Sequence, residues 1–205
     1  MRNRNLLVVV MALCCAAAGW ANSVVNAGFE TGDFTGWALG GACLGVVTTS
    51  IYPCWSDVES WTPYGVYVGT YAGRFGAQPT AMTLSQSVTV PAGLYEVSFY
   101  MALTTGTPKG RNLPGEPLFD PANFLRVTWG GVDVGYLHDL DAAGWARYAF
   151  AVTSTGAPTT LEFEIRQDIS GDFFLDEISV DVPEPATLGL IGLGLAGLAL
   201  VRRRG

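Results

Sequence analysis

Between its two ends the sequence predicts an all-β fold, a two-sheet antiparallel jelly-roll sandwich. Three observations carry that expectation. Short runs in which apolar and polar residues alternate recur along the chain, enriched in β-branched and aromatic side chains. Turn-forming clusters of Gly, Pro, Asp and Ala separate them at regular spacing. Outside the ends, no window has the 3.6-residue apolar period of an amphipathic helix.

In chain order, residues 1–21 read as a secretory signal peptide. Arg2 and Arg4 supply positive charge, and residues 6–18 form an unbroken apolar run of thirteen. Such a run is short for a bilayer span but fits a signal core. Gly19 and Ala21 place small residues at −3 and −1 of a cut after Ala21. Cys14 and Cys15 lie inside this segment without a lipid-attachment box before them, so they are apolar filler.

Residues 22–182 then form one domain, long enough for a real core. Strands are expected at 82–90, 94–103, 124–129, 132–137, 145–153, 160–167 and 173–182. Pro91-Ala92-Gly93, Gly130-Gly131, the run from Asp141 to Gly144, Gly156-Ala157-Pro158 and Ser170-Gly171-Asp172 provide the turns between them. Residues 23–29, 44–51 and 66–71 carry a weaker version of the pattern and are read as strands too. The count of about ten short strands, with no solenoid or propeller repeat, points to a sandwich. Residues 104–122 break the spacing with four prolines and three glycines, and a loop that long in a compact domain is usually functional or mobile.

Residues 183–205 form a separate tail. Pro183-Glu184-Pro185 comes first, then sixteen uncharged residues at 186–201, then Arg202, Arg203 and Arg204. As a helix the uncharged part is about 24 Å long. That is slightly short of a hydrocarbon core of about 30 Å, a deficit that snorkelling arginines cover. The basic end stays cytoplasmic, which leaves everything before it outside. Within this helix Gly192, Gly194 and Gly197 fit G-x-G-x-x-G, but no strand precedes them and no acidic residue follows, so a dinucleotide site is rejected.

The stretch Val182-Pro183-Glu184-Pro185-Ala186-Thr187-Leu188-Gly189-Leu190, followed by an apolar helix and terminal arginines, resembles the PEP-CTERM sorting signal of Gram-negative bacteria. The resemblance covers only the tail. It implies signal peptidase and an exosortase as partners during export, a transient hold on the membrane, and release or transfer near Pro183–Pro185. It also implies a place at the cell surface or outside the cell, in company with exopolysaccharide and biofilm.

Within residues 22–182, six basic side chains face seventeen acidic ones, a net charge of −11. That sign disfavours nucleic acid and anionic membrane surfaces and suits an extracellular protein or a cation binder. Cys43 and Cys54 are the cysteines of this region. Export makes a disulfide the default reading, and chain entropy assigns a loop of that size about 3 kcal/mol. A zinc site is rejected, since there is one His and no CxxC.

Two segments bracket the domain: Val25-Asn26-Ala27-Gly28-Phe29-Glu30-Thr31-Gly32-Asp33-Phe34-Thr35-Gly36-Trp37 and Asp172-Phe173-Phe174-Leu175-Asp176-Glu177-Ile178-Ser179-Val180. With Leu84–Val90 and Tyr95–Phe99 they resemble carbohydrate-binding-module-like jelly rolls of the galactose-binding type. In such domains an acidic residue near the first strand and an Asp of the last often share a structural Ca²⁺. Carried over, these are Glu30 and Asp176, helped by backbone carbonyls near Asn26 and Gly28, with Asp33 and Asp172 as further candidates. Ca²⁺ takes six to eight oxygens, for which two carboxylates are a thin set. The alternative is that Glu30 and Asp176 only accept backbone amides where the termini meet.

Tyr52, Trp55, Trp61, Tyr64 and Tyr67 cluster within sixteen residues. Exposed Trp and Tyr stack on the apolar faces of sugars, since the rings combine large apolar area with a polar handle. Trp55, Trp61, Tyr64 and Tyr67 are therefore the candidate ligand-binding residues, against the alternative that they pack a core or loop. Trp37, Trp129 and Trp145 sit on strand patterns and are assigned to the core. Catalysis has little support. His138 stands beside Asp139 with no G-x-S-x-G serine elbow, so no triad forms. Glu162 and Glu164 share one strand face, and nothing marks them as a glycosidase pair. The expected function is a non-catalytic exported sandwich associating with extracellular polysaccharide. The alternatives are a purely structural matrix protein and a lectin-fold hydrolase.

Overall fold

The computed structural model describes residues 23–41, 55–60, 62–76, 81–104, 123–167 and 171–183. Their strands, in chain order, are β1 (Ala38–Gly41), β2 (Trp55–Glu59), β3 (Ala72–Gly76), β4 (Met82–Val88), β5 (Gly93–Leu103), β6 (Phe124–Trp129), β7 (Val132–His138), β8 (Ala143–Ser154), β9 (Thr159–Arg166) and β10 (Phe173–Asp181). One sheet has the order β1-β4-β9-β6-β7 and the other β2-β3-β10-β5-β8. Every pairing is antiparallel. The all-β, two-sheet class read from the sequence is the one that forms.

Alternation sets which residues face inward. In β9, Leu161, Phe163 and Ile165 are fully buried while Glu162, Glu164 and Arg166 face out. In β5, Val97, Phe99, Met101 and Leu103 enter the core from the other sheet. Phe99 and Phe163 meet edge to face across the sandwich, with ring centroids 5.2 Å apart. The first sheet thus turns Arg126, Tyr136, His138 and Glu164 to its outer face, and the second turns Tyr100, Arg147 and Asp176 to its own.

Residues 23–29, read as a strand, instead form turns that dock the N-terminus on the sandwich. Asn26 and Phe29 hold positive φ of 50° and 58°. The Asn26 amide donates to the carbonyls of Asp33 and Thr35, and its Oδ1 accepts from Thr31 N. Phe29 is then driven fully into the core against Phe34 and Trp37. Gln86 stitches this turn to β4: Oε1 accepts from Val25 N, and Nε2 donates to the carbonyls of Val25 and Gly36. The conspicuous sequence around Asn26–Trp37 is thereby accounted for as architecture.

Residues 66–71, also read as a strand, are a loop of bends, and strand structure starts only at Ala72. Gly65 and Gly69 hold φ of 73° and 79°, which breaks the extended run there. Trp37 and Trp129 are buried as expected, their indole N–H groups donating to Asn26 O and Thr153 O. Trp145 is not core. It is half-buried on the outer side of β8 against the 62–71 loop, because its register position faces away from the other sheet.

Residues 1–22, Cys43, Cys54, the stretch 44–51, Tyr52, Trp61, the loop 105–122 and the tail from 184 onward lie outside the described residues. So does the apolar span 186–201. Among the described residues no helix is long and apolar enough to cross a membrane.

Candidate functional site

The outer face of the first sheet gathers rings and cations from three adjacent strands. Register places Arg126 beside Tyr136, and Phe124 between His138 and Arg166. Tyr136 is 44% exposed, with its ring 5.8 Å from Phe124 and stacked on the His138 imidazole at 5.0 Å. The Arg126 guanidinium lies 5.5 Å from the Tyr136 centroid and 5.9 Å from that of Phe124. Arg166 covers Phe124 from the other side at 5.1 Å. Cation–π contact stiffens such a platform by about 0.5–1 kcal/mol each where exposed. Arg126 Nη1 is also 3.2 Å from Glu164, and His138 Nδ1 3.2 Å from Asp139.

The same face continues toward the opposite strand ends through Thr128 and Glu162. There Gly130, Gly131, Thr155, Thr159 and Thr160 line an open depression of about 470 Å³. Threonine hydroxyls and the Glu162 carboxylate share this end with Gly130, Gly131, Ala157 and Pro158, while rings and guanidinium groups mark the other. Glu162 and Glu164 stand side by side on β9, not across a cleft from each other, and Glu164 is held by Arg126.

The expected residues Tyr64 and Tyr67 lie on the opposite side of the molecule. Tyr67 stacks on Tyr100 of β5 with centroids 3.6 Å apart and stands 6.0 Å from Trp145. Trp145 Nε1 donates to Gly65 O, and Tyr64 Oη donates to Leu103 O. Trp55 contributes its backbone to β2, and Trp61 lies outside the described residues. The sequence reading missed Phe124, Arg126, Tyr136 and Arg166, which only sheet register brings together; the alternate-position rings and arginines of β6 and β7 were the available signal.

Glu30 and Asp176 do approach the same place. Glu30 accepts from the amides of Thr70 and Tyr71. Asp176, fully buried, accepts from Val68 N at 3.1 Å and Glu177 N at 2.8 Å. A Cβ added at Gly28 would stand 3.0 Å from Glu177 Oε1 and 3.1 Å from Asp176 Oδ1, so the backbone there passes directly over two carboxylates. Burial, reinforced by the nearby Glu177 and Glu30 charges, pushes the Asp176 carboxyl up to about 6. The donor set is all oxygen and suits a hard cation. Among the described residues, however, no three Asp, Glu, His or Cys side chains converge in metal-holding geometry. Backbone carbonyls would have to supply most of the shell. Asp33 is engaged elsewhere: hydrogen bonds from Thr35 and Thr31 hold its carboxyl below the usual range. Asp172 sits 3.9 Å from Arg74, which also pairs Asp57 and Glu59.

Residues 181–204 match a known family model. They are a PEP-CTERM protein-sorting motif. The sandwich in front of that motif resembles solved carbohydrate-binding modules. TmCBM61, solved with β-1,4-galactotriose, shares 20% identity over 80% of this chain and 100% of its own, with a TM-score of 0.55. A family 16 carbohydrate-binding module shares 17% over 78% of this chain and 99% of its own, at 0.51. An adhesin domain of Lys-gingipain from Porphyromonas gingivalis shares 10% over 76% and 96%, at 0.52. At these identities the likeness is one of fold. No curated protein matches the sequence.

Proposed function

We propose that the chain is an exported, non-catalytic surface protein whose sandwich binds extracellular polysaccharide on the outer face of the β1-β4-β9-β6-β7 sheet. The observation that carries the reading is the Tyr136 platform, an exposed ring braced by Phe124, His138 and Arg126. A sugar ring stacks its apolar face on Tyr136, while Arg126, Glu164 and the threonines toward Glu162 exchange hydrogen bonds with its hydroxyls. The module-like fold and the sorting motif support this reading. Signal peptidase removes residues 1–21. The 186–201 helix holds the precursor in the inner membrane, and an exosortase acts near Pro183-Glu184-Pro185 to pass the protein to the cell surface or medium. Glu30 and Asp176 join backbone carbonyls around a structural Ca²⁺ that fixes the N-terminal turn to β10.

Glycan-array binding of the full chain in mild detergent tests the function. Wild type is expected to bind a defined set of glycans, and Tyr136→Ala to lose about tenfold in affinity, the equivalent of one well-stacked ring. Absence of binding to every glycan would leave the protein a structural matrix component.

A further inference from the structure

Large aromatic side chains are exposed at three positions among the described residues, and these fall on two opposite faces. Tyr136 belongs to the first sheet, at 44% exposure; Tyr64 and Tyr67, at 41% and 38%, lie over the second. The second pair is held in place as firmly as the first. Thr62 Oγ1 donates to Gly65 O, and Gly65 N returns a bond to Thr62 O, closing a tight turn under Tyr64. Trp145 Nε1 reaches that same carbonyl at 2.7 Å. The Tyr64 ring lies over Gly144, where an added Cβ would stand 3.6 Å away, and its hydroxyl is fixed to Leu103 O. Farther along, Val68 N is anchored on Asp176 and Tyr67 is stacked on Tyr100. Rings fixed before a ligand arrives lose little freedom on binding.

We propose that Tyr64, Tyr67 and the flank of Trp145 form a second glycan-stacking surface, so that one molecule bridges two polysaccharide strands. This rests on the first face being a glycan site. The patch belongs to a region, 22–182, of net charge −11, which repels anionic polymers and acidic partners. Two braced tyrosine rings offer apolar faces with hydroxyl edges, which match the apolar C–H faces and hydroxyls of a neutral glycan. Because the faces point in opposite directions, one straight segment of a strand cannot touch both, and occupancy of both by short segments joins separate strands.

The test uses the full chain in mild detergent and, as probe, a soluble polysaccharide identified on the array, with β-1,4-galactan included. Wild type is expected to cross-link the polymer into light-scattering aggregates. Tyr64→Ala/Tyr67→Ala should still bind on the array but lose cross-linking, and Tyr64→Phe/Tyr67→Phe should restore it. Val68→Arg, at the exposed position next to Tyr67, should block cross-linking with both tyrosines in place. Tyr136→Ala should also lose cross-linking while retaining binding through the second face. Cross-linking by the double alanine variant and by Val68→Arg at the wild-type level overturns the second site. So does a dimer that forms without glycan and dissolves in those variants, which would assign the patch to a second copy of the chain. Failure of wild type to bind any glycan overturns the first reading instead.

Discussion

Asp176 shows how one side chain can be both structural and sensitive. Its carboxylate ties Val68 and its own β-bulge together, yet it is fully buried near Glu177 and Glu30. Its folded pKa is raised to about 6, burial being the main cause, above an ordinary value of about 3.9. Folding therefore favours the protonated form. Without a cation, its contribution to stability is greatest below pH 4 and is lost as pH rises through 6, by about 2–3 kcal/mol. Thermal unfolding in chelator across that window measures it. Asp176→Asn should flatten the pH dependence. Ca²⁺ should raise the wild-type midpoint above pH 6 and leave the variant unmoved. A calcium-independent midpoint would reduce Glu30 and Asp176 to amide acceptors between the termini and the 68–71 loop.

The strands differ in how openly the sequence declares them. β4 and β9 alternate cleanly, as in Met82-Thr83-Leu84-Ser85-Gln86, and β5 and β10 are apolar-rich runs, so the boundaries of β4 to β10 could be read to within a few residues. β1 is Ala38-Leu39-Gly40-Gly41 and β3 is Ala72-Gly73-Arg74-Phe75-Gly76. Glycine replaces the apolar residues that alternation needs, because neighbours fill the space: a Cβ at Gly73 of β3 would meet the Phe29 ring at 2.9 Å, and one at Gly41 of β1 the Ala81 carbonyl oxygen at 2.6 Å. The docking turn at 23–29 was hidden for a different reason, since its conformation depends on Gln86, some sixty residues away. The proposed site on the first sheet was equally illegible, as Phe124, Arg126, Tyr136 and Arg166 meet only through the β9-β6-β7 register. Tyr64 and Tyr67, close in sequence, could be seen. Gly135 gives a test at this scale. It is buried in β7, where a Cβ would stand 2.5 Å from Phe150 of the other sheet. Gly135→Ala should force Phe150 aside and lower stability by about 1–3 kcal/mol in denaturant melts. An unchanged midpoint would mean that β7 and β8 close the sandwich more loosely than this contact requires.

At the scale of the molecule, charge decides which polymers can approach. The region 22–182 carries a net charge of −11, and Arg126 on the proposed binding face is already paired with Glu164 and Asp133. A uronate-rich polysaccharide would meet long-range repulsion with a cation that is locally neutralised, while a neutral glycan meets neither. Salt separates the cases, because the screening length falls from about 10 Å at 0.1 M to about 3 Å at 1 M. Retardation of the full chain in gels containing neutral polysaccharide should change by less than about twofold over that range, since ring stacking and hydrogen bonds are short-ranged. Binding to an anionic polymer, if forced, should strengthen with salt as the repulsion is screened. Affinity for an acidic glycan that instead collapses as salt rises would show that Arg126 and Arg166 act as charge partners, and would move the substrate class from neutral to acidic polysaccharide.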